Sequence, residues 1–229
     1  MIQAVFFEFE GVIADTHTAR RTALRAILDE DGVSISDEEY AERCAGLPVR
    51  SAVRAAFSLR DIAADDTRID LGTARAERRF SALVEAGLSL TVGVRASIES
   101  MQGQTRLGIV SRAARRDIEA MLSMAQLDYA FEFVVCDDDP LPPKPSAEPY
   151  RAALERLARR RAVDAKHVVA LEDGLAGIRS AKAAGLRCAV VGVVPMHVAV
   201  NADALIPSLA GQTAVSIDTM TLGKHTAGR

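Results

Sequence analysis

The chain has 229 residues, 49% of them hydrophobic and 26% charged, and carries a formal net charge of −3. That length allows one large α/β domain, or a core domain with a small insertion. The charge balance offers no broad positive field, so nucleic acid and anionic membrane are excluded as expected partners, and any phosphate recognition has to be local.

The first apolar stretch of strand length is residues 4–9, Ala-Val-Phe-Phe-Glu-Phe. Helical patterns follow at 18–30, 37–44, 51–57 and 72–86, and Ser36 with Glu39 three residues on makes a capping box for the second. Strand-like stretches then recur at 107–110, 133–136, 167–171 and 188–194, each short, rich in Val, Ile and Phe, and closed by polar, acidic or Gly residues. Helical patterns at 114–124, 146–161 and 175–184 lie between them, the last ending at Gly185, a favourable residue just past a helix. Alternation of helices with strands apolar on both faces predicts a parallel sheet covered on both sides. Residues 16–90 contain no strand and are too long for one crossover helix, so they read as an inserted helical domain between 1–15 and 91–229. The tail from Thr219, with two glycines and no apolar pattern, is expected to fray.

Cys44, Cys136 and Cys188 are far apart, form no CxxC pair and read as buried reduced thiols. The N-terminus has no basic region followed by a cleavage site. The longest apolar run, 188–200, is interrupted by Gly192, Pro195 and His197 and is too short to span a bilayer, so a cytoplasmic location is expected.

Four segments carry chemistry. Residues 5–16 read Val-Phe-Phe-Glu-Phe-Glu-Gly-Val-Ile-Ala-Asp-Thr, and place the carboxylates of Glu8 and Glu10 at i and i+2 where the chain leaves the sheet. Residues 107–112, Leu-Gly-Ile-Val-Ser-Arg, set Ser111 and Arg112 just past a strand, where the hydroxyl is either a helix cap or an anion contact. Residues 142–150 hold Lys144 between prolines that fix its backbone. Residues 168–186 end a strand on Glu172 and Asp173, hard oxygen donors suited to Mg²⁺ or to capping the next helix. In open parallel sheets, ligands bind outside the carboxyl ends of the strands, which is where all four segments fall.

In order and spacing the four segments resemble the signatures of the haloacid dehalogenase-like superfamily, closest to its beta-phosphoglucomutase-like and small sugar-phosphate phosphatase subgroup, over 5 to about 209. The resemblance implies an α/β fold, a Rossmann-like parallel-sheet core with an inserted helical cap domain. It implies a Mg²⁺-dependent phosphatase acting on a small phosphorylated metabolite, as a monomer or weak homodimer. Glu8 would be the nucleophile and Glu10 the acid/base. Ser111, Arg112 and Lys144 would bind phosphate, with Lys144 also neutralising the nucleophile. Glu8, Glu10, Glu172 and Asp173 would hold the metal, and Arg20, Gly46 and Arg50 of the cap would meet the substrate.

Two departures keep other readings open. The family pattern has aspartate where this chain has Glu8 and Glu10, and the extra methylene adds ~1.5 Å of reach. A catalytically weak protein that binds a phospho-ligand or partner therefore stands beside the enzyme reading. The mutase relatives carry a cap-proximal His where ungapped counting here finds Arg20, with His17 one turn earlier, which weighs against a sugar-phosphate mutase.

Overall fold

The computed structural model describes residues 1–45 and 47–222, which form two compact units. One comprises Met1–Asp15 with Ser89–Arg229, the other Thr16–Leu88.

The first unit is built on six parallel strands: β1 Ala4–Phe7, β2 Arg106–Val110, β3 Val134–Val135, β4 Val168–Glu172, β5 Arg187–Val191 and β6 Ala204–Ile206. Their order across the sheet is β3-β2-β1-β4-β5-β6. Successive strands run one way from β1 and, after the crossover to β4, the other way, so the switch in strand order lies at β1 and β4. Register brings the strand ends together. Phe7 pairs with Ile109 on one side and Leu171 on the other, so Glu8, Val110 and Glu172 come abreast at the carboxyl edge.

Alternate strand residues, Ala4 and Phe6 of β1, Val168 and Ala170 of β4, Cys188 and Val190 of β5, form one core with α7 (Glu148–Ala158) and α8 (Leu175–Ala183). Phe6 is its centre, edge-on to Phe133 and stacked on Tyr150 with centroids 5.5 and 6.4 Å apart. At the far end, α10 (Ala214–Leu222) is fastened to β5 by the buried Arg187, whose guanidinium donates to Asp218 at 2.8 Å and to Thr221 at 3.2 Å.

The second unit is four helices: α1 Thr16–Glu30, α2 Asp37–Arg43, α3 Val49–Ser58 and α4 Asp66–Glu85. Leu24, Ile27, Leu28, Val53, Phe57 and Ile69 fill its own core. The expected capping box is present: the Ser36 hydroxyl accepts from the Glu39 amide, and the Glu39 carboxylate accepts from the Ser36 amide. The two connections run side by side within the first unit, the Asp15 amide donating to the Ser89 carbonyl at 2.8 Å and that of Thr91 to Ile13 at 2.9 Å.

Several sequence expectations are corrected. The first strand stops at Phe7, because the chain leaves the sheet after Glu8 and bends at Phe9, and the last predicted strand stops at Val191 rather than 194. α4 starts six residues before the pattern at 72, where Asp65 caps it by accepting from the Arg68 amide. The pattern at 114–124 forms α6 (Arg115–Met124), whereas β6, α5 (Val94–Met101) and α9 (Met196–Ala199) were not expected. The tail does not fray from Thr219, since Thr219–Leu222 lie in α10, and the rest of the tail lies outside the described residues. Among the described residues no helix is long and apolar enough to cross a membrane. Cys44, Cys136 and Cys188 are all buried free thiols, and burial raises each of their pKa values.

Candidate active site

The site starts from how β1 ends. Glu8 keeps the ladder by donating its amide to Leu171 at 2.9 Å, and the chain then curls so that Ile13 and Ala14 both donate to the Phe9 carbonyl. Gly11 makes the curl possible with φ 76°, a left-handed conformation that side chains resist. The curl points the amides of Phe9 and Glu10 back at the Glu8 carboxylate, and Oε1 accepts from them at 2.7 and 3.3 Å.

Three other segments converge on this carboxylate. Ser111, directly after β2, donates its hydroxyl to Glu8 Oε1 and accepts from the Ala113 amide at 3.1 Å. Lys144, on the proline-rich segment after β3, donates to Glu8 Oε2 at 2.5 Å, Glu172 Oε1 at 2.6 Å and the Val110 carbonyl at 2.8 Å. All three protons of its ammonium are thereby used. Glu172, the last residue of β4 and 1% exposed, also accepts from the Tyr150 hydroxyl. Its carboxylate lies against the backbone of Gly177 in α8, where any Cβ would overlap it.

The electrostatics follow from this packing. Burial opposes the charge on Lys144, but Glu172 and Glu8 outweigh it and hold the ammonium above the ordinary lysine value. Burial raises the Glu172 carboxyl, with Lys144 pulling the other way. Asp173 is pushed well above the carboxylate range by burial and by the negative charge of Glu8 and Glu172. Burial, then the Glu172 charge, raises the Tyr150 hydroxyl.

Residues 5–191, from β1 through β5 and so including all four converging segments, match the haloacid dehalogenase-like hydrolase family. The chain belongs to that family. It is similar to the protein CbbY of Cereibacter sphaeroides, 31% identical over 199 residues that cover 83% of this chain and 84% of the relative. It is also similar to the phosphorylated carbohydrates phosphatase of Thermotoga maritima, 27% identical with 84% and 86% covered. The crystal structure of CbbY from Rhodobacter sphaeroides in complex with phosphate superposes with a TM-score of 0.68 at 30% identity, covering 95% of this chain and 100% of that one.

Within this hydrolase, the structure gathers Glu8, Ser111, Lys144 and Glu172 into one hydrogen-bonded group. Asp173 and Glu10 join it through their charge. Arg112 is exposed and borders a small cavity with Ser111, Pro143 and Lys144. In the helical unit, Arg20 lies over the Phe80 ring at 4.1 Å, and Arg50 pairs with Asp70 and Asp66 at 2.7 and 2.8 Å. Gly46 lies outside the described residues.

Sequence reasoning gave no role to Tyr150 or Gly177, although both stand inside the segments it singled out. Their signal was available: an aromatic six residues from a buried lysine has a hydroxyl that needs a partner, and a glycine inside a helix needs a reason.

The residues suit Mg²⁺ in kind. Glu8, Glu172 and Asp173 offer hard oxygens, and their combined charge, seen in the raised Asp173, exceeds what the single Lys144 neutralises. As the side chains stand, no group of three or more His, Cys, Asp or Glu among the described residues is arranged to hold a metal. Glu8 and Glu172 are drawn onto Lys144 instead.

Proposed function

We propose that the protein is a Mg²⁺-dependent phosphatase of a small phosphorylated metabolite, in the sugar-phosphate class, using Glu8 as nucleophile. The observation that supports this is the convergence of Glu8, Ser111 and Lys144 at the carboxyl edge of the sheet, beside the switch in strand order. The similarity to a phosphatase of phosphorylated carbohydrates supports the substrate class.

In this reading a Glu8 oxygen attacks phosphorus and the bond to the leaving oxygen breaks, giving a glutamyl phosphate. Glu10 protonates the leaving oxygen, then takes a proton from the water that releases phosphate. The Ser111 hydroxyl and loop amides hold phosphoryl oxygens, Lys144 offsets their charge and Arg112 stands at the rim. Glu8, the Glu10 carbonyl and Asp173, with Glu172 behind them, would hold Mg²⁺, whose part is to neutralise charge on the transferring group. The unit Thr16–Leu88 is proposed as a cap that selects substrate, through Arg20, Gly46 and Arg50. Arg50 would have to leave Asp66 and Asp70 to reach a ligand.

The test is Mg²⁺-dependent phosphate release from a panel of sugar phosphates. Wild type is expected to turn over at least one ester, and Glu8→Gln to abolish the release. A second reading, a phospho-ligand binder with little turnover, is favoured by the engagement of both Glu8 oxygens. A panel without turnover, rescued by Glu8→Asp with Glu10→Asp, would establish it instead.

A further inference from the structure

The donors proposed for an incoming phosphate are the Ser111 hydroxyl, the Lys144 ammonium and the amides of the β1 loop. Each is already used, and by one side chain. Glu8 Oε1 accepts from the Phe9 amide at 2.7 Å, the Glu10 amide at 3.3 Å and the Ser111 hydroxyl. Oε2 accepts from Lys144 at 2.5 Å. A carboxylate oxygen and a phosphate oxygen ask for the same thing, several N–H and O–H donors converging on a negative charge. We propose that Glu8 occupies the phosphate cradle of its own active site, so that a phosphoryl group enters only by displacing this carboxylate. The inference rests on the phosphatase reading of these residues and adds the regulation of that site.

Side-chain length makes the occupation possible. The amides lie one and two residues along from Glu8 itself, while Ser111 comes from the end of β2 and Lys144 from the proline-rich segment after β3. A carboxylate that meets both sets has to extend from the end of β1 into the middle of the cradle. A side chain one methylene shorter falls back by ~1.5 Å, more than the tolerance of a hydrogen bond, and cannot serve all four donors. Charge is the same in both cases, so length alone separates them. The affinity for an external anion is reduced by the fraction of molecules with the cradle open, and a cradle open one time in ten weakens binding about tenfold.

The measurement is calorimetric titration with inorganic phosphate in EDTA, so that no metal contributes, on the full chain and on Glu8→Asp. The shorter acid is expected to bind phosphate at least about tenfold more tightly than wild type at equal net charge. Adding Ser111→Ala to it should remove most of that gain. Glu8→Asn and Glu8→Gln repeat the one-methylene comparison at a second equal charge, the shorter amide again binding phosphate more tightly, so the inference survives a folding failure of Glu8→Asp. A dissociation constant of Glu8→Asp equal to that of wild type, or of Glu8→Asn equal to that of Glu8→Gln, would overturn the inference. If wild type still cleaves an ester, that result leaves the phosphatase reading standing. Failure of every chain to bind phosphate, with no ester cleaved in Mg²⁺, would overturn both.

Discussion

At the scale of single residues, the least replaceable atom near the site is one that Gly177 lacks. Glu172 is fully desolvated, hydrogen-bonded by the Lys144 ammonium and the Tyr150 hydroxyl, and it rests on the bare backbone of α8. A methyl group there forces the carboxylate off its partners. Gly177→Ala is expected to cost about 1–3 kcal/mol in urea unfolding, as overpacking of a closed interior does. A variant as stable as wild type would mean that the carboxylate has room to shift. Glu8, Ser111 and Glu172 were legible in the sequence because each sits at a strand end, and Lys144 because prolines flank it within a short run of distinctive residues. What Glu172 does there was not legible. Two adjacent acids at a strand end read alike as metal donors, and only the side-chain directions separate Glu172, turned inward to Lys144, from Asp173 beside it.

At the scale of elements, α2 offers a self-contained case. None of its residues is fully buried, and it is held by Tyr40 packed against the core of its unit, by Arg21 and Arg25 on Asp37 at 3.2 and 3.0 Å, by the capping box and by the Arg60–Glu39 pair at 2.7 Å. Ser36→Ala is expected to lower stability by about 1 kcal/mol. The bond from Arg60, then that from the Ser36 amide, pulls the Glu39 carboxyl from its ordinary 4.5 down to about 2. A depressed carboxyl stabilises the fold above its unfolded-state value and loses that contribution as pH falls through the folded one. The penalty of Glu39→Gln should therefore be present at pH 6 and fade toward pH 2 in thermal melts. A penalty that does not change with pH would assign it to packing. This box was legible because its two residues are neighbours in the chain. β6 was not: its three residues, with Leu205 partly exposed, are too few to show a period, and pairing with β5 alone makes them a strand. α5 was missed for a related reason, its eight residues spanning little more than two turns.

At the scale of the whole molecule, the close pairing of the two connections makes the helical unit a cassette. Asp15 and Ser89 are one hydrogen bond apart, so the chain leaves the sheet unit and returns to the same place after 73 residues folded on a core of their own. For the sheet unit, such an excursion is equivalent to a long hairpin loop. The entropy of closing a loop grows only with the logarithm of its length, so exchanging one excursion for another of different size changes the cost by about 0.6 kcal/mol per doubling. A tight turn of a few residues joining Asp15 to Ser89 should therefore leave a sheet unit that unfolds cooperatively, with β1 still hydrogen-bonded between β2 and β4 in an amide-exchange experiment. Loss of protection at Phe6 and Phe7 in that shortened chain would show that the helices are needed to fold it. If the protection holds, the reaction site and the part proposed to choose its substrate can be inherited separately, and one could be replaced in a lineage without rebuilding the other.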